Sequence, residues 1–343
     1  MTPRRVRQAP SDAATAAGPT AQRDAVRPAP SRRGPLPVTG GSLRLTITMG
    51  ALGAFAIAFS AIYVRLSTVA PSTSAVFRCA YALPVLALLA RRETRAAGPR
   101  PAARRRLSLA AGGAFAVDLV AWHYAIDVVG AGLATVLANV QVVIVGLVAW
   151  LVLGERPSRA TIGAIPVMLV GVVLISGVVG ADAYGDDPAL GGALGLLAAS
   201  AYAGFLLLLR AGNHDRRHRA GALFDATLIG GLGAAVAGLA LGGLDLVPSW
   251  PEHGWLVVLA LNSQVVGWLL ISYALPRLPA IVTSVLLLLQ PVSAVLLGMV
   301  LLEEAPSPVQ LGGVGLVLVG IAVATAGDTA GRRRAHTAAR ADA

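Results

Sequence analysis

Apolar residues in this 343-residue chain are gathered into long, almost uncharged runs, with charged side chains confined to the breaks between them. A run of about 18 or more such residues is long enough to cross the hydrocarbon of a bilayer as a helix. Ten runs qualify, at 45–64, 72–90, 107–126, 130–153, 160–179, 189–209, 221–242, 254–275, 280–302 and 308–326. The pattern therefore predicts an all-α integral membrane fold with ten transmembrane helices. Several runs are rich in glycine, such as GALGAFAIA (50–58) and LIGGLGAAVAGLALGG (228–243). Small residues let helices approach closely where lipid gives them no hydrophobic reason to associate. Residues 1–44 are rich in Pro, Ala, Arg, Ser and Gly and lack the large apolar side chains that offset ordering entropy, so they are expected to be a disordered basic tail. The SRRGPLP stretch (31–37) is a poor export signal, since nine more apolar runs follow, and 45–64 is expected to be retained. Residues 327–343 form a second tail.

The chain repeats itself. LGERPS (153–158) returns as LEEAPS (302–307), and sliding the sequence by 149 residues matches 124–171 to 273–320 without a gap, with 16 identities in 48 positions. Apolar composition inflates such a score, but it does not explain the paired Gln141/Gln290, Glu155/Glu304, Pro157/Pro306 and Ser158/Ser307. Two five-helix units follow, 45–179 and 189–326. Five is odd, so the second unit enters the membrane from the opposite face, and LGERPS carries an arginine that LEEAPS has lost. Inverted repeats of this kind are a transporter architecture, with the solute site near the midplane between the halves.

Charge sets the orientation. Arg32, Arg33 and Arg44 precede the first run, and seven arginines lie between the second and third, at 91, 92, 95, 100 and 104–106. Arg156 and Arg159, then Arg216, Arg217 and Arg219, then Arg277 and Arg332–Arg334 all fall on that same side. Of the loop arginines only Arg65 falls opposite, so the positive-inside bias puts both termini in the cytoplasm of a plasma-membrane protein. The net charge of +11 is thereby a topological signal and not a nucleic-acid footprint. Charged residues make up only 13% of the chain against roughly 25% in soluble domains, and every basic residue is arginine. A single cysteine, Cys79, excludes an intrachain disulfide.

Ten spans in two repeats, an FxRxxYxLP-like segment (Phe77, Arg78, Tyr81, Pro84), and a helix-ending Gly154–Glu155 with its partner Glu304 resemble the drug/metabolite transporter superfamily in its EamA-type branch. The resemblance covers roughly 45–326. It implies a carrier, often an exporter of amino acids or other small metabolites, whose cavity is lined mainly by the third, fourth, eighth and ninth helices. Members often carry proline midway along the fourth and ninth helices. Here Pro291 follows Gln290 but Val142 follows Gln141, so a kink is expected in the ninth helix and not in the fourth.

Few polar residues fall at membrane depth. Asp118 in AFAVDLVAW must face a cavity or a partner, because an acid facing lipid is costly. Trp122 is one turn on, with His123 beside it near the outer interface. A carboxylate able to take up a proton, an aromatic wall and an imidazole suit proton-coupled binding of a cationic or zwitterionic solute. The bland alternative is a protonated Asp118 bonded to a neighbouring helix. Gln141 and Gln290 occupy equivalent points of the two halves, and either bind solute or form an interhelical bond worth under about 1 kcal/mol. Asn139 projects about 200° from Gln141 on an unbroken helix, so one cavity is not expected to receive both. In the eighth helix Asn262, Gln264 and Trp268 offer a facing wall, with only one of Asn262 and Gln264 turned inward. Arg78 reads first as a helix tie and second as a carboxylate ligand; Asp225 reads as wetted at a helix end.

No catalytic or cofactor motif appears. There is no GxxxxGK[ST], GxSxG or HExxH, so an energy source other than ion gradients and an intramembrane hydrolase are both disfavoured. His214 and His218 sit four apart without a further ligand, and no metal is expected. Glu155 and Glu304 read as loop anchors. The remaining readings are an importer of sugar or nucleotide-type metabolites and a non-transporting membrane receptor or scaffold. The expected partners are a small-molecule solute, the lipid bilayer and protons as coupling ion, with no nucleic acid; oligomeric state is open.

Overall fold

The computed structural model describes residues 40–153, 158–179, 182–212, 216–274, 277–278 and 280–341. The tail before Gly40, Gly154–Pro157 of the LGERPS segment and His214 lie outside them. The described residues form ten passes and no strand. The first three are α1 (Gly40–Ser67), α2 (Pro71–Ala97) and α3 (Ala102–Val129). The fourth is divided into α4 (Ala131–Ala138) and α5 (Gln141–Leu153). Then come α6 (Arg159–Ile175), α7 (Pro188–Gly212) and α8 (Arg219–Leu241). The eighth pass joins α9 (Glu252–Val258), a π-helical stretch (Leu259–Gly267) and α10 (Trp268–Ala274); α11 (Ala280–Leu301) and α12 (Pro308–Ala341) complete the set. The helices α1 and α12 extend beyond the apolar runs into 40–44 and 327–341.

Backbone hydrogen bonds explain the break in the fourth pass. Val140 N–H bonds Leu137 O, Val142 N–H bonds Asn139 O, and Val143 N–H bonds Val140 O, all three-residue closures that tighten the turn. The Asn139 side chain adds a donor to Thr135 O, 2.8 Å away, giving the backbone a local alternative to the α ladder. The fourth pass thereby carries an irregularity that its lack of a proline does not predict. The fourth pass is interrupted without a proline, whereas the helical assignment of α11 continues through Pro291.

The packing carries the pseudo-twofold that the repeat implies. The pairs α2 with α8 and α6 with α12 are each formed by equivalent passes, while α3 on α7 is mirrored by the eighth pass on α1. Residue-level contacts agree between α6 and α12. A Cβ on Gly171 would stand 2.8 Å from Val317 and 2.7 Å from the Gly313 carbonyl, while Gly320 lies against Met168 and Ala164 O. Shifting each residue by 149 exchanges Gly171–Val317 with Gly320–Met168, and Gly171–Gly313 with Gly320–Ala164. One interface is thus read twice by one motif, in opposite directions.

This close approach yields a test. Gly171→Val is expected to lower the thermal unfolding midpoint of the detergent-purified protein, because overpacking between two backbones costs about 1–3 kcal/mol. Gly163, one helical face away, has open space where a Cβ would stand, and Gly163→Ala is the control expected to leave the midpoint unchanged or raised. Equal midpoints for Gly171→Val and the parent would contradict the interface.

Candidate functional site

Where the two halves meet, the helices leave a cavity of about 480 Å³ in mid-bundle. Its walls come from the third, fourth, eighth and ninth passes, joined by α1, α2 and α7. One side is charged: Arg78 from α2, with Asp118 and Trp122 from α3. The amides of Asn139, Gln141 and Gln290 form the polar middle, and Tyr202, Trp268 and Phe115 make an aromatic face. Both Arg78 and Asp118 are buried, 5% and 7% exposed, so each ionisable group meets the cavity in place of bulk water.

Local structure explains each position. Asp118 and Trp122 are one turn apart on α3 and share a face. The Trp122 ring then takes the Arg78 guanidinium 5.6 Å from its centroid. Phe205 stacks on Phe115 at 4.7 Å and meets Trp268 edge-on at 5.5 Å, which fixes the aromatic face. Arg78 donates through Nε to Gln264 Oε1 at 3.1 Å, and among the described residues its terminal Nη atoms have no hydrogen-bond partner. The guanidinium therefore belongs to the cavity wall as well as to the helix tie that the sequence favoured.

Six of the eight expected site residues meet in this cavity: Arg78, Asp118, Trp122, Gln141, Trp268 and Gln290. Two do not. His123 is fully buried instead of wetted at an interface; its Nδ1 lies 2.6 Å from Leu119 O, the carbonyl one turn back, and its Nε2 is unpartnered. Asn262 donates to Ala56 O of α1 at 3.1 Å, beside Ser263, which uses the same carbonyl. Gln264 stands behind Arg78, outside the lining. Asn139 and Gln141 do line one cavity, because the tight turn between α4 and α5 departs from the unbroken helix on which the 200° separation is projected. Tyr202 was missed: one tyrosine in an apolar run has no local signal, and only the packing of α7 on α3 reveals it.

Acids outside the cavity hold the ends of the bundle. Glu304, just beyond α11, accepts from the Ala131 and Gly132 N–H groups at the start of α4, at 2.5 and 3.0 Å. Two otherwise orphan helix donors are thereby satisfied across the two repeats. Burial pushes the Glu304 carboxyl above the usual carboxylate range, and the two N–H donors pull the other way. Gly298 and Gly132 leave the room this contact needs, as a Cβ on Gly132 would stand 2.9 Å from Val295 Cα. The fourth and ninth passes are therefore tied together at the Glu304 end. Toward the opposite end, the cavity continues between α5 and α11 past Val145 and Leu286. There Glu93 accepts from Ala220 and Gly221 N–H at 3.0 and 2.9 Å, tying α2 to α8. Asp225, expected to be wetted, is 2% exposed and ion-paired with Arg100 of the short α2–α3 turn, with Arg105 of α3 3.7 Å away. Arg65 meets Asp127 at 3.7 Å on the Glu304 side, in keeping with an interfacial place. Among the described residues no His, Cys, Asp and Glu cluster has metal-site geometry.

A multi-pass helical bundle of inverted repeats around a solute-sized, charged chamber has the architecture of a membrane transporter. The family model of the EamA-like transporter family matches residues 44–177 and again 189–326, and the chain belongs to that family, a membrane transporter of the drug/metabolite type. No curated protein matches the sequence. One solved chain, named simply "Crystal structure of protein", is similar at a TM-score of 0.54 and 20% identity, over 82% of this chain and 96% of its own. That likeness supports the fold.

Proposed function

We propose that this protein is a secondary carrier that exports amino acids or closely related zwitterionic metabolites across the plasma membrane, by alternating access and with proton coupling. The observation that carries the reading is one buried chamber with a guanidinium and a carboxylate on neighbouring helices, α2 and α3. A zwitterion presents the complementary pair, a carboxylate for Arg78 and an ammonium for Asp118. A guanidinium and an ionised carboxylate in a site shielded from water favour such a solute over a neutral one of equal size. The amides of Asn139, Gln141 and Gln290 supply both donors and acceptors for the rest of its polar atoms. The aromatic face accepts an apolar side chain or stacks on the ammonium. A volume of about 480 Å³ falls within the ordinary range of small-molecule sites.

In the orientation that the arginine distribution supports, both termini and the Val145–Leu286 end of the chamber face the cytoplasm, and Glu304 faces outward. The conformation is then the one that loads from inside, as export requires. Asp118 is the proposed proton carrier: protonated from outside, it releases the ammonium; deprotonated inside, it rebinds.

The test is a stability screen of the purified protein. Millimolar zwitterionic amino acids are expected to raise the unfolding midpoint, because a ligand that binds only the folded state stabilises it by mass action. Stabilisation confined to sugars or sugar phosphates would overturn the zwitterion reading in favour of the sugar or nucleotide importer.

A further inference from the structure

A guanidinium in a membrane interior is ordinarily paired with a carboxylate. Arg78 shares its cavity with Asp118 but is anchored differently. Among the described residues its anchor is neutral: Nε donates to Gln264 Oε1 at 3.1 Å, and Gln264 Nε2 in turn donates to Thr227 Oγ1 at 3.2 Å. Gln264 and Thr227 have no exposed surface, and they bring the eighth and seventh passes to bear on a residue of the second. The π-helical stretch makes this possible. In it Trp268 N–H reaches back five residues to Ser263 O, and the altered register lets Asn262 and Ser263 both reach Ala56 O while the next side chain, Gln264, meets Arg78. Such stretches are rare and recur at functional sites.

An amide acceptor fixes the plane and direction of a guanidinium without cancelling its charge. A carboxylate in the same place would fix it and neutralise it together. We propose that Gln264, braced by Thr227, is a positioning residue that keeps Arg78 charged, oriented and available, and thereby sets the preference of the cavity for solutes bearing a carboxylate. The proposal rests on the reading that Arg78 receives the solute carboxylate.

The experiment uses full-length protein in proteoliposomes with two probes, an equimolar mixture of the proteinogenic amino acids and the matching mixture of their carboxamides. The parent protein is expected to transport the acids at least about tenfold better than the amides, by KM. Gln264→Glu matches the size and keeps an acceptor for Nε but adds a charge; it is expected to erase that preference while the unfolding midpoint stays level or rises. Thr227→Val frees the Gln264 amide and is expected to raise KM for the acids several-fold, leaving kcat and amide transport unchanged. If the parent shows no preference, the carboxylate role of Arg78 fails. If the parent discriminates and Gln264→Glu discriminates equally, the positioning role alone is overturned. Should Gln264→Glu not fold, Thr227→Val decides, and an unchanged KM for the acids overturns the proposal.

Discussion

Asp118→Asn is expected to abolish transport driven by a pH gradient while leaving the protein folded. The side chain keeps its size and hydrogen-bonding capacity but loses both its charge and its ability to carry a proton. Two effects follow from one substitution. The ammonium of a zwitterionic solute loses its counter-charge, a loss on the order of 3 kcal/mol or about 100-fold in affinity for a desolvated pair. Arg78 also loses the acid that shares its chamber, which leaves the cavity with a net positive charge and shifts it toward simple anions. In proteoliposomes with an imposed pH gradient, flux of the amino-acid mixture should fall to the level seen without a gradient. Gradient-driven flux equal to that of the parent would remove Asp118 from the coupling step.

The second large effect is expected at the seal. Glu304 accepts from two backbone N–H groups of the opposite repeat at its end of the bundle. Glu304→Ala leaves those donors unsatisfied in a buried interface, and charge-assisted bonds of this kind contribute about 1.5–3 kcal/mol each. On the proposed alternating access the two repeats exchange between two arrangements, and that loss then falls on the balance between them and not on folding as a whole. The closed-to-open ratio at the Glu304 end should drop by at least about 100-fold. A thiol introduced at Leu287 in the cavity wall should then react with an impermeant reagent added from the Glu304 side, and should not in the parent. Cys79, which is wholly buried, gives no background. Unaltered protection in Glu304→Ala would mean that apolar packing around Val295 and Gly298 closes that end unaided.

How much of this was written in the sequence differs from residue to residue. The ten passes were legible because hydrocarbon thickness imposes one length on every helix, and the repeat was legible because its polar pairs survive in an apolar background. Asp118, Trp122, Gln141, Gln290, Trp268 and Arg78 were legible as polar or aromatic residues at a depth where lipid tolerates few. The failures share a cause, since projections around a helix assume that it is regular. A tight turn at Asn139–Val140 and a π-helical stretch at Leu259–Gly267 changed the register, bringing Asn139 into the cavity and turning Asn262 against α1. Asp225 was misread because its partner Arg100 lies 125 residues away, and Tyr202 because nothing adjacent marks it.

The opposed entry of the two repeats is the claim on which chamber, seal and exchange all depend, and it is open to a direct measurement. Residues 159 and 308 stand at equivalent points of the two halves, each at the start of a helix and each exposed. Single cysteines placed there by Arg159→Cys and Pro308→Cys, probed in intact cells with a membrane-impermeant thiol reagent, are expected to label from opposite faces, 308 from outside and 159 only after the membrane is opened. Labelling of both from the same face would contradict the inverted repeat and the alternating access built on it.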